Sequence, residues 1–225
     1  MLRADPVGPR ITYYDDASGE RIELSAVTLA NWAAKTGNLL RDELGAGPGS
    51  RVAVPLPAHW QTAAVLFGTW WIGAEVLLGS AADADVALCT AELLADADAT
   101  GATEVVALSL DAFGRPVPDL PIGVTDYATA VRVHGDQIAG EQRPGPALAG
   151  RSVESVLDAC QKAAAAQGLT GGERVLSSAP WDSADDVIGG LLSVLSAGGS
   201  LVYVANPDPA ALARTAETEK VTRNL

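Results

Sequence analysis

The sequence predicts an α/β protein: two echoing βαβ-type halves, their mostly parallel sheets packed through helices in layers, behind an N-terminal β-hairpin. Three observations predict it. Short β-branched runs alternate with longer helical stretches along the whole chain. Residues 44–79 read turn, strand, helix, turn, strand, a βαβ unit whose crossover should be right-handed. Residues 171–204 then repeat that order. In both stretches glycines precede an Arg-Val pair (Arg51-Val52, Arg174-Val175), a Pro and a Trp follow (Pro57 and Trp60, Pro180 and Trp181), and a helix returns through glycine to an apolar strand.

Each element has a local cause. Ile11 to Tyr14 and Arg21 to Leu24 alternate around Asp15, Asp16, Ser18 and Gly19, which is a hairpin signal. Ser25 caps a helix to about Leu44, with Leu29, Ala33, Thr36 and Leu40 on one face. Arg51 to Leu56 is a strand, His59 to Ile72 a buried helix closed by Gly73, and Ala74 to Leu78 the returning strand. Ala84 to Leu88 and Glu104 to Leu108 are strands flanking a helix from Ala91 to Ala99. Phe113 to Val124 holds Pro116, Pro118 and Pro121 and reads as a surface connection, followed by a short helix from Asp126 to Val133. Gly135 to Gly150 is loop-like. Ser152 caps a helix to about Gln167, Arg174 to Ser178 is a strand, and Ser183 with Asp185 and Asp186 starts a helix to about Ser196. Ser200 to Val204 is a strand, Pro207 opens a last helix to about Lys220, and Val221 to Leu225 begins a strand or frays. The expected organisation is one compact domain of two subdomains, about 1–139 and 150–225, joined by a linker at 140–149.

Composition narrows the function classes. The chain has 225 residues, 15 Lys plus Arg against 28 Asp plus Glu, and a net charge of −13. With no Lys/Arg cluster, neither nucleic acid nor an anionic membrane is an expected partner. Cys89 and Cys160 lack CxxC spacing and read as buried thiols. The N-terminus lacks an apolar signal core, and the most apolar window falls short of the roughly 20 residues of a membrane span, so a soluble cytoplasmic protein is expected. His59 and His134 lie in different segments and offer no metal-ligand spacing; His59 reads as a half-exposed neighbour of a helix start. Ser177, Ser178 and Ser183 near Asp182 and Asp185 lack a GxSxG elbow and a nearby base. Trp70 and Trp71 read as core or interface. Trp181 and Asp182 follow a strand's carboxyl end, where open α/β sheets bind ligands. Trp181 either lines a residual apolar pocket or packs the strand–helix corner with Asp182 as cap.

Specific residues carry a family resemblance. Ile11-Thr12-Tyr13, Pro48-Gly49-Ser50-Arg51-Val52 and Gly73-Ala74-Glu75-Val76, in that order and spacing, resemble the start of the adenylate-forming (AMP-binding) superfamily of acyl- and aryl-CoA synthetases, peptide-synthetase adenylation domains and luciferases. Residues 168–181, 197–204 and 210–222 resemble the stretches after that family's phosphate loop. These are scaffold motifs. The resemblance implies a phosphate loop rich in Ser, Thr and Gly before the helix at Ser152, and an aromatic facing an acyl pocket at the position of Trp181.

The departures set the functional expectation. Residues 140–152 read GEQRPGPALAGRS, with no Thr, no Lys, and prolines where amide donors are needed; Arg143, Arg151 and Ser152 are what remains to meet an anion. The sequence reaches Leu225 without the family's adenine-binding motif, ribose-binding aspartate or catalytic lysine, and so reads as a truncated N-terminal part. Adenylation needs cations and preorganised donors at the reacting phosphate. The expectation is therefore a catalytically silent relative acting as a ligand-binding or protein-interaction domain, with self-association or an acyl-type small molecule as partner and no cofactor. The alternatives are an altered ligase-like enzyme taking an acyl or adenine-nucleotide ligand, with ATP, AMP or Mg, through Trp181, Asp182, Arg151 and Ser152, or a half-enzyme completed by another chain.

Overall fold

A computed structural model describes residues 5–79, 83–99 and 101–225. Two compact units divide the chain: residues 1–29, 58–60 and 154–225 form the first, and residues 30–57 and 61–153 the second. Each unit is built on one five-stranded sheet.

In the first unit, β1 (Pro9–Asp15) and β2 (Glu20–Ser25) form the antiparallel hairpin, and β8 (Arg174–Ser177), β9 (Ser200–Ala205) and β10 (Arg223–Asn224) complete the order β10-β8-β9-β1-β2. β1 runs parallel to β9 in register, Ile11 beside Leu201 and Tyr13 beside Tyr203. That pairing of chain positions nearly two hundred residues apart makes β1 and β9 inner strands, and residues Ser200 to Val204 are buried throughout. The helix α5 (Val153–Ala166) buries Val156, Cys160 and Ala164, spaced by four as helical geometry requires. α6 (Ala184–Val187) and α7 (Ser193–Ser196) are the ends of one helical run, joined by a π-helical turn at Ile188–Leu192. Ser183 and Asp186 cap it reciprocally: the Asp186 amide donates to Ser183 Oγ at 3.2 Å and the Ser183 amide to Asp186 Oδ2 at 2.9 Å. α8 (Pro209–Thr218) starts two residues later than Pro207 suggests, because the Asp208 carboxylate accepts the Ala210 amide and is the stronger cap. The chain's last residues do form a strand: the Thr222 amide donates to the Arg174 carbonyl and the Leu225 amide to the Leu176 carbonyl.

In the second unit, β3 (Arg51–Ala53), β4 (Glu75–Leu77), β5 (Val86–Thr90), β6 (Glu104–Leu108) and β7 (Val124–Asp126) are all parallel, in the order β4-β3-β5-β6-β7. α1 (Ala26–Asn38) brings the chain in from the first unit and is prolonged by a π-helical turn at Leu39–Glu43, so the expected helix reaches its end by widening. α2 (Trp60–Trp71) carries the β3–β4 crossover. α1 and α2 touch backbone to backbone: a Cβ on Gly68 would lie 2.7 Å from the Ala33 carbonyl oxygen and 2.9 Å from the Gly37 nitrogen. α3 (Leu94–Ala99) follows β5, and α4 (Tyr127–Ala130) follows β7 with the Asp126 carboxylate capping the Thr129 amide at 2.7 Å. The expected surface connection after β6 ends in β7, a strand too short to show in the pattern. Ala53, Ala84, Ala87, Cys89, Ala97 and Val105 pack as one small-residue core cluster. Among the described residues no helix is long and apolar enough to cross a membrane.

Candidate functional site

The two pairs of candidate residues lie in different units. Trp181 and Asp182 sit in the first, beyond the carboxyl end of β8. Pro180 keeps the chain extended, and the Ser183 cap then turns it into α6. The indole of Trp181 is 2% exposed. It lies against Tyr203, ring centroids 5.5 Å apart, and close to Gly190 in the π-helical turn, where a Cβ would come within 3.4 Å of Nε1. Its Nε1–H has no acceptor among the described residues. Asp182 is exposed, and its charge joins burial in raising the Tyr203 phenol above its ordinary range.

The sequence did not reveal that Trp181 ends a row of rings. Tyr203 and Tyr13, register partners on β9 and β1, stack at 6.2 Å and 7°. Tyr13 meets His59 edge-on at 4.4 Å, and His59 lies 5.6 Å from Trp60. Glu20 of β2 closes the row, accepting from Trp60 Nε1 at 3.4 Å and lying 3.8 Å from His59 Nε2. Burial first, then the charges of Asp15 and Glu20, hold the Tyr13 phenol well above the usual tyrosine range, so it stays neutral. His59, expected half-exposed, is 3% exposed, because Tyr13 and Trp60 cover its ring. The alternating pattern of β1 and β9 marks both tyrosines as strand residues. Only the long-range register makes them neighbours.

Arg151 and Ser152 sit in the second unit, at the end of the segment where the resemblance places a phosphate loop. That segment is a strap on the open edge of β4. Leu148, fully buried, bridges Val76 in parallel fashion; the Val76 amide donates to the Ala147 carbonyl at 2.9 Å, and the Ala149 amide to the Val76 carbonyl at 3.0 Å. Trp70 Nε1 also donates to the Ala147 carbonyl, at 2.7 Å. Ala149 and Gly150, at φ +47° and +78°, turn the chain tightly, so that the Arg151 amide donates to the Leu148 carbonyl and the Ala147 amide to the Arg151 carbonyl. Two successive left-handed residues suit a glycine at the second place.

The amides of this strap are engaged inside the unit. Those of Arg143 and Gly150 donate to the carboxylates of Glu141, at 2.8 Å, and Glu75, at 2.5 Å. Those of Gly145, Ala147, Leu148, Ala149 and Arg151 donate to backbone carbonyls, and Pro144 and Pro146 have none. A phosphate cradle uses the reverse arrangement, with successive amides turned toward the ligand. Arg151 is half-buried and Ser152 exposed.

Other candidates resolve as packing. Cys89 and Cys160 are buried, and burial pushes the Cys89 thiol up to about 11. The Ser177 hydroxyl accepts the Ala179 amide at 3.2 Å. Among the described residues no group of three or more His, Cys, Asp or Glu side chains could hold a metal ion.

Known structures share the fold. An acyl-CoA synthetase of Brucella canis superposes with a TM-score of 0.80 at 18% identity, over 98% of this chain and 45% of that one. The apo structure of Mycobacterium smegmatis MbtA gives 0.77 at 18%, over 99% and 46%, and the acetoacetyl-CoA synthetase of Streptomyces lividans 0.74 at 20%, over 99% and 40%. The chain thus spans less than half of each. No family model matches the sequence. A TIGR03089 family protein of Mycobacterium tuberculosis is 70% identical over 230 aligned residues, which cover all of this chain and 94% of that protein. The chain therefore belongs to the TIGR03089 family, and its fold is shared with part of these acyl-CoA synthetase structures.

Proposed function

We propose that this chain is a catalytically silent relative of the adenylate-forming enzymes and works as a binding or interaction domain. The observation that carries this reading is the strap at residues 143–151, whose amides are engaged by the protein's own carbonyls and carboxylates. An oxyanion there would have to displace several hydrogen bonds and unzip a buried leucine, at a cost of about 1 kcal/mol or more for each bond. The segment also has no lysine and no threonine with which to screen a triphosphate.

A thermal-shift titration with ATP, AMP and Mg tests this, alongside carboxylate-dependent ATP–pyrophosphate exchange. The expected result is an unchanged melting temperature and no exchange. A nucleotide-induced rise that disappears in Arg151→Ala would overturn the silent reading, since a ligand at a hundred times its Kd adds about 2.7 kcal/mol.

A second reading is supported by Trp181. Its buried indole N–H, without an acceptor among the described residues and beyond a strand's carboxyl end, suits an acceptor on an acyl-type ligand. An acyl-CoA that raises the melting temperature of the wild type but not of Trp181→Phe would favour that reading over a pure scaffold.

A further inference from the structure

β2 is an outer strand of the first sheet. β2 reads Glu-Arg-Ile-Glu-Leu-Ser, six residues hydrogen-bonded to β1 on one side. Among the described residues, no backbone–backbone hydrogen bond reaches 20–25 from outside the β1–β2 pair. Natural sheets blunt such edges with charged side chains, lysine above all, or with proline, a bulge or a covering segment, and the charges of β2 are Glu20, Arg21 and Glu23. β2 contains neither lysine nor proline, and the irregularity in its pairing lies at the far end, between Pro9 and Ile11.

The order of charges in β2 selects the occupant. Arg21 and Glu23 flank Ile22 on one face, where they bond each other at 2.9 Å and Arg21 also reaches Glu219; their side chains remain 45% and 40% exposed, so a second copy's charges can join this network. Place a second β2 antiparallel to the first with the two-fold axis at Ile22. Arg21 then falls opposite the second copy's Glu23, and Glu23 opposite its Arg21; Glu20 falls opposite Leu24. Two reciprocal opposite-charge pairs form on one face, each worth about 0.2–1 kcal/mol. The shift that places Arg21 against Arg21 is disfavoured by the same amount. A two-fold contact of this kind is self-complementary and closes at two copies. It also suits a chain of net charge −13, whose copies can approach only where local charges compensate.

We propose that β2 is a self-association edge, pairing antiparallel with β2 of a second copy about Ile22 to give a continuous ten-stranded sheet. This rests on the interaction-domain reading. A nucleotide response would sink that reading, whereas the cross-link below decides this one.

Sedimentation velocity over a concentration series, with two variants, is the test. The wild type is expected to show a concentration-dependent dimer. Glu23→Arg turns both attractive pairs repulsive and should weaken the dimer by about tenfold or more. Ile22→Cys places two thiols directly across the axis, where opposed antiparallel residues have Cα atoms about 4.5–5.5 Å apart, within disulfide reach. Mild oxidation should convert that variant, and not the exposed control Val27→Cys, into a covalent dimer. The native Cys89 and Cys160 are buried and should stay out of the reaction. A wild type that stays monomeric throughout overturns the proposal. So does a dimer that forms no 22–22 disulfide. Should Glu23→Arg fail to fold, the cross-link alone decides.

Discussion

The two units solve the same packing problem with different chemistry. The second unit is held by aliphatic and small side chains against an all-parallel sheet, with helices α1 and α2 touching at glycine. The first unit also has an apolar core, but ties its sheet to its last helix through a charged cluster. Glu219, just past α8, is 7% exposed and collects donors from three strands. It accepts from the Tyr14 hydroxyl at 2.5 Å, from Arg21 Nη2 at 2.8 Å and Nε at 3.0 Å, and from Arg174 Nη2. Arg174 also donates to the Glu219 carbonyl and to Thr12, and Arg21 pairs with Glu23. One unit should thus respond to steric change and the other to charge and pH.

The largest effect should come from removing the hub. Glu219→Ala leaves Arg174, only 14% exposed, and Arg21 without their shared carboxylate. Breaking a buried pair from one side costs about 3–5 kcal/mol, and the half-exposed Arg21 puts this case at the lower end. Denaturant unfolding of the variant measures it. The pH dependence has a definite sign. Burial alone would raise the Glu219 carboxyl, but hydrogen bonds from Tyr14, Arg174 and Arg21 outweigh it and bring the value from 4.5 down to about 2. A depressed carboxyl contributes stability that is complete above pH 4.5 and lost as pH falls through about 2. Acid titration of the wild type should show that loss, and Glu219→Gln should flatten it.

A smaller effect, in the other unit, sharpens the contrast. In Gly68→Ala the new methyl meets the Ala33 carbonyl at 2.7 Å and Thr36 Cβ at 2.9 Å, all of it helix that cannot yield locally. α1 and α2 must separate, at a cost of about 1–3 kcal/mol for overpacking. Denaturant unfolding reads it, and the loss should be the same at pH 3 and pH 7, because no ionisable group takes part.

The division between what the sequence discloses and what it hides follows the same line. Strands, helices and caps were legible wherever their cause is local. Ser183 with Asp186, the run from Glu104 to Leu108 and the glycines before each Arg-Val pair all declare themselves within a few residues. Cooperation across the chain was not legible. Nothing near Tyr13 announces Tyr203, and nothing near Glu219 announces Arg21, because the parallel pairing of β1 with β9 creates both neighbourhoods. The strap is intermediate. Its prolines and missing threonines argue against a phosphate loop from sequence alone, but the destinations of its remaining amides depend on the free edge of β4. At Trp181 the strand-end position was legible, and the row of rings behind it was not.

The smallest effect tests whether the second unit has any pH response of its own. Tyr127 is buried, its hydroxyl 2.7 Å from Thr36 Oγ1, which is also 2.8 Å from the Trp32 carbonyl. Tyr127→Phe therefore strands no donor, since Thr36 keeps Trp32, and the loss at neutral pH should be about 1 kcal/mol. Burial, opposed by the Thr36 hydrogen bond, pushes the Tyr127 phenol from 10.0 up to about 12. A raised phenol contributes stability that is complete below pH 10 and lost as pH rises through about 12. The gap between wild type and Tyr127→Phe should therefore narrow across that window, measured as the difference in denaturant midpoint at pH 7 and pH 11.5. A gap that stays constant would mean that the hydroxyl is reached by water in the folded state. Cys89, whose thiol burial pushes up to about 11, would then contribute to the second unit's alkaline response.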